Sequence, residues 1–123
     1  MVETTDGEAN WQCTFSAGER SAVADTTTRG GAGEGFGPHE LLESALATCL
    51  NMTIRMKAQE DDVPVEGVRT SVDLDRSATE TAFVYDFEVD GDVSDEQLAV
   101  LAEAAASCPV RQTLSKRLSF ERA

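Results

Sequence analysis

The sequence predicts an α+β fold in which antiparallel sheet curls against one long central helix. Residues 38–62, "PHELLESALATCLNMTIRMKAQEDD", place Leu42, Ala45, Leu46, Cys49, Met52, Thr53 and Met56 at helical spacing. Residues 68–89 alternate apolar and polar side chains on either side of a short polar break, as a hairpin with one buried face does. The order is strands, long helix, hairpin, helices, which is an α+β order. A length of 123 residues fits a single domain, 1–123.

The elements follow in order. "NWQCTFS" sets Trp11, Cys13 and Phe15 against polar neighbours and reads as a half-buried strand. Cys13 on that apolar face is read as a small core hydrophobe. "RSAVADTT" reads as a second strand, paired with the first across "AGE". "RGGAGEGFG", 29–37, lacks the Gly-Lys-Ser/Thr of a phosphate loop and follows no buried apolar strand, so it reads as a permissive connector. Pro38 opens the long helix at a position where proline is tolerated, and "DDVP" ends it. In the hairpin, Val68, Thr70, Val72 and Leu74 face Thr81, Phe83, Tyr85, Phe87 and Val89 across "RSATE". Ser94 and Gln97 form a capping-box signature ahead of a helix with Leu98, Leu101, Ala102 and Ala105 on one face. That helix breaks at Cys108-Pro109, a short helical stretch follows, and Leu118 and Phe120 in "KRLSFE" are expected to close a last strand.

Charge excludes several partners. There are 23 acidic and 10 basic residues, a net of −13, and only Lys57 and Lys116 are lysines. Nucleic acid and anionic membrane both require a positive footprint, so neither is expected as a partner. An acidic, lysine-poor surface suits a protein kept soluble in high salt, where self-repulsion is screened. A halophilic source is the expectation; a merely acidic cytosolic protein is the alternative. "MVETTDGEAN" has neither a basic nor an apolar leader region, and no apolar run reaches about 18 residues. The chain is therefore expected to be cytoplasmic, in a reducing compartment that disfavours structural disulfides.

Three cysteines remain as the candidate chemistry. Pro109 at a first helical position makes Cys108 the N-cap, where unpaired amides and the helix dipole favour a thiolate. Arg111 lies one turn on. Cys108 as a cap without chemistry is the other reading. Cys49 on the apolar helix face reads either as an inert buried thiol or, with Cys108, as half of a reversible pair. One histidine and no C-x-x-C motif argue against a zinc site, and no metal or other cofactor is expected. The lone His39 and the absence of G-x-S-x-G argue against a serine triad.

Two stretches carry a family likeness. "GPHELLESALATCLNMTIR" resembles the central-helix motif of the OsmC/Ohr family, Pro-x-Glu-Leu-Leu followed by small residues and a cysteine. "SCPVRQTL" resembles its second motif, Cys-Pro-Val ahead of a short helix. They occur in the family's order with a hairpin and a helix between them, and the likeness covers roughly residues 20–120. The resemblance implies an OsmC-like fold: an intertwined homodimer whose long central helices are wrapped by sheets from both chains. It implies a thiol peroxidase acting on an organic hydroperoxide, with Cys49 as the peroxidatic thiol, Cys108 as the resolving thiol and an external dithiol as reductant. Apolar surroundings favour a neutral thiol, so this chemistry calls for a cation. Arg29, ten residues before the family's usual glutamate position, matches the arginine flanking that loop, with Arg20 and Arg111 as backups.

The chain departs from the pattern at that glutamate position. Ten residues before Cys49 stands His39, and Glu40 follows it, about 100° further round a helix. An OsmC-like subset with an aromatic residue there, followed by Glu-Leu-Leu, is the closer match. His39 is then the candidate for handling the proton, or a solvent-facing residue at the helix start. Ten helical residues span about 15 Å, so His39 would reach a thiol only across a dimer interface. The alternative function is a non-catalytic OsmC-like module that binds an apolar small ligand and keeps its cysteines as packing residues.

Overall fold

A computed structural model describes all 123 residues. Its elements are β1 (Glu3–Asp6), β2 (Cys13–Ala17), β3 (Arg20–Ala24), α1 (Pro38–Glu60), β4 (Val65–Arg76), β5 (Thr81–Gly91), α2 (Asp95–Ala106) and α3 (Pro109–Leu114). The chain divides into two compact units, Met1–Leu42 and Glu43–Ala123.

In the first unit β1, β2 and β3 form an antiparallel sheet in that order. β2 pairs with β3 from Cys13↔Ala24 to Ala17↔Arg20, across a turn in which Gly18 takes φ 62°. β1 carries no apolar alternation and is exposed throughout, so the sequence gives no signal for it. The single buried side chain of this unit is Asp25. Its carboxylate accepts from the amides of Thr26 (2.7 Å) and Glu34 (3.0 Å) and from the Gln12 side chain (3.3 Å). The Glu34 and Thr26 amides lead in holding its pKa below the usual carboxylate value. The glycine-rich connector is therefore knotted around one carboxylate rather than loose. Gly35 passes so close to β3 that a Cβ there would lie 2.5 Å from the Val23 carbonyl oxygen.

The second unit holds the core. Leu46, Leu50, Ile54 and Ala58 of α1 bury one stripe against Val63, Leu101, Ala105 and Cys108. The β4–β5 hairpin adds Val68, Val72, Phe83, Tyr85, Phe87 and Val89 from its inner face. Three successive turns of α1 also pin β4. Glu43 Oε1 accepts from the Leu74 amide (2.9 Å), the Ala47 carbonyl from Thr70 Oγ1 (2.8 Å), and Asn51 Nδ2 donates to the Val68 carbonyl (2.9 Å). The helix ends in a Schellman motif: Asp62 takes φ 54°, and the Asp62 and Val63 amides return to the Gln59 and Ala58 carbonyls. The Ser94–Gln97 capping box starts α2 as expected.

Two sequence expectations are corrected. Residues 116–123 form no strand, and Leu118 and Phe120 are exposed. The apolar face read along α1 contains two adjacent stripes, of which the chain covers one. Leu42, Met52 and Met56 remain 46–66% exposed, while Leu50, Ile54 and Ala58 complete the buried stripe begun by Leu46. A helix apolar over more than half its circumference does not reveal which part its own chain covers.

Candidate functional site

α2 and α3 meet with only Ser107 and Cys108 between them. Cys108 is the N-cap of α3, as the following proline requires, and is completely buried. Pro109 has no N–H, so the first free amides of α3 belong to Val110 and Arg111. Each meets a sulfur. The Arg111 amide donates to Cys108 Sγ (3.4 Å) and the Val110 amide donates across the core to Cys49 Sγ (3.5 Å). Cys49 sits half-buried on α1, one turn beyond Leu46. The two thiols lie near enough to influence each other electrostatically, and both cysteines are free.

Burial pushes the Cys108 thiol above its ordinary pKa; the Arg111 amide opposes this, and Cys49 beside it adds to the rise. The expected lowering by the helix terminus is thus corrected: complete burial outweighs the α3 amide and reverses the sign. Arg111 does not bring its charge to the sulfur through its side chain either. Its Nη1 donates to the Ala106 carbonyl at the end of α2, at 2.6 Å. A cavity of about 130 Å³ is lined by Leu46, Phe83, Tyr85, Arg111, Leu114 and Ser115, and neither cysteine is among its lining residues.

Arg29, His39 and Glu40 belong to the first unit, and all three are exposed. Arg29 takes φ 52°, and its carbonyl accepts from Trp11 Nε1 at 2.9 Å. Glu40 Oε1 accepts from the Gly37 amide at 2.9 Å, an N3 carboxylate reaching back to cap α1. That is a local reason for Glu40 to stand three residues after Gly37. Cys13 lies outside the core; it is half-buried on β2 and its thiol donates to the Trp11 carbonyl at 3.7 Å. No three His, Cys, Asp or Glu side chains are grouped to hold a metal, and no helix is long and apolar enough to cross a membrane. The Val110 amide and the β4 pins escaped the sequence reading. A proline at N1 was the available signal for Val110, since it displaces the first donor by one residue.

The family model described as OsmC-like protein matches residues 31–122. The chain belongs to the OsmC-like family. No curated protein matches this OsmC-like chain. Solved structures share its fold. An OsmC-like protein from Mycoplasma pneumoniae aligns at TM-score 0.78 and 19% identity, over 93% of this chain and 85% of that one. An organic hydroperoxide resistance protein OsmC from Legionella pneumophila aligns at TM-score 0.68 and 18% identity, over 94% and 88%. The organic hydroperoxide resistance protein OhrB of Bacillus subtilis aligns at TM-score 0.67 and 19% identity, over 94% and 89%. The α+β architecture with a long helix and antiparallel sheets is thus that of the OsmC fold.

Proposed function

We propose that this OsmC-like chain is a thiol peroxidase that reduces organic hydroperoxides. The observation that carries the proposal is that adjacent amides in the first turn of α3 meet the two sulfurs, Val110 at Cys49 and Arg111 at Cys108, which places the thiols near each other. The names of the Legionella and Bacillus neighbours point to the same substrate class. The Cys49 thiolate attacks the terminal peroxide oxygen, the O–O bond breaks, and the alkoxide takes a proton and leaves as an alcohol. Cys49 is then a sulfenic acid. The Cys108 thiol gives up its proton and attacks Cys49 sulfur; the hydroxyl leaves as water and a disulfide forms. An external dithiol reduces the disulfide and is itself oxidised. The apolar side chains of Leu46, Phe83 and Leu114 offer a place for the alkyl group.

The working unit in this reading is a homodimer. Leu42, Met52 and Met56 leave an apolar stripe of α1 open, and the β1–β2–β3 unit exposes Trp11, Val23 and Phe36 without a core of its own. A second copy that covers these surfaces would also supply Arg29 as the cation and His39 as the proton-handling group, with Glu40 capping the helix beside it. The test is consumption of an alkyl hydroperoxide by the reduced protein with a dithiol. Cys49→Ser abolishes it, and Cys108→Ser permits one oxidation without efficient recycling. An intact reduced protein that consumes no peroxide with any dithiol overturns the proposal.

A further inference from the structure

We infer that Arg111 and Gln112 are positioning residues that hold Cys108 in place for its reaction with Cys49, an inference that rests on the proposed thiol chemistry. Five consecutive carbonyls at the α2–α3 junction each have a donor. Ala104 accepts from the Ser107 amide, Ala105 from the Cys108 amide, and Cys108 from the Gln112 amide. The two between them have no backbone donor and are met from α3 by side chains. Arg111 Nη1 donates to Ala106 at 2.6 Å, and Gln112 Nε2 donates to Ser107 at 2.9 Å. Both side chains thus reach back over Cys108, one on each side of Ser107, and tie the end of α2 to the start of α3.

Charge makes the Arg111 link the stronger of the two. α2 has no basic residue in its last turn, so its negative end is met by the guanidinium of the next helix. The same residue presents its backbone amide to Cys108 Sγ. Removing the side-chain links frees the junction to rotate while leaving the Cys49 helix untouched. The geometry at risk is the one a disulfide demands, with its narrow S–S distance and dihedral.

The test follows the two half-reactions separately. Cys49 oxidation is read as the rate of sulfenic acid formation, and resolution as its decay to the Cys49–Cys108 disulfide. In Gln112→Ala the first rate is expected to stay at the wild-type value while resolution slows. In Arg111→Met resolution slows by about tenfold, the scale of one charge-assisted hydrogen bond, and Arg111→Lys recovers part of it. A purely structural role would lower the melting temperature without changing sulfenic acid lifetime in the folded protein. The potential of the cysteine pair in glutathione buffer gives a readout independent of peroxide. Tenfold poorer positioning raises it by about 30 mV. Unchanged resolution and potential in both variants overturn the inference. A wild-type pair that forms its disulfide in glutathione buffer but never under peroxide sinks the peroxidase reading alone, and the potential still judges the positioning role.

Discussion

Cys108 is proposed to resolve a sulfenic acid, yet in the reduced protein it also has a measurable structural job. Cys108→Ala removes a completely buried sulfur that caps α3 through the Arg111 amide. An N-cap lost to alanine costs ~1 kcal/mol. A thiol is a weak acceptor, so about half of that applies here. Taking one methylene-sized group out of the core removes ~0.8 kcal/mol of burial. The sum is about 1.3 kcal/mol, which for a chain of this length is a fall of about 5 °C in Tm. Cys108→Ser keeps an acceptor for the Arg111 amide, so its Tm should fall by about half as much. Thermal unfolding is followed with reductant present and at one protein concentration, since association would shift Tm. An alanine variant that melts with the wild type would show that the sulfur contributes neither cap nor packing. A serine variant below alanine would show that burying its hydroxyl outweighs the cap.

Other expectations follow from the same geometry. Thr70→Val deletes the bond to the Ala47 carbonyl at nearly constant shape and should cost about 1 kcal/mol in denaturant unfolding; no loss would mean that this pin is idle. Asp25 has a folded-state pKa below its ordinary 3.8, so its stabilisation is present above that value and is lost as pH falls through the folded pKa. The protection of the Thr26 and Glu34 amides against exchange, relative to the unstructured rate at each pH, should therefore fall at acid pH, and in Asp25→Asn it should be low and insensitive to acid. With a net charge of −13, raising salt should raise Tm by screening self-repulsion. A Tm flat from low to molar salt would refute that account and the high-salt reading of the composition.

Legibility in the sequence tracked how local the cause was. Pro38, Pro109 and the Ser94–Gln97 pair act on their neighbours, and the three helices begin where those residues place them; the alternation of residues 68–89 marks the hairpin, although β4 already starts at Val65. β1 was not legible because "ETTD" buries nothing and is a strand only by pairing with β2. The tail alternates like a strand at Leu118 and Phe120 but has no strand beside it in this chain. At the site, the motif order pointed to Cys49 and Cys108 together, whereas the sign of the Cys108 shift depended on burial, which requires the whole core. Likewise the motif marks Glu40 as a candidate for chemistry and gives no sign that its carboxylate also closes the first turn of its own helix.

The α2–α3 junction has no slack, and that restricts how this chain can change length over time. One residue added between Ala106 and Pro109 would turn α3 by about 100° and shift every donor along the row of carbonyls by one. Cys108 would lose its cap or its neighbour. The β4–β5 turn is different: residues 77–80 are exposed and bonded mainly to one another through Ser77. Insertions and deletions among close descendants of this protein should collect at that turn and be missing at the junction, whatever drift the surrounding side chains have undergone.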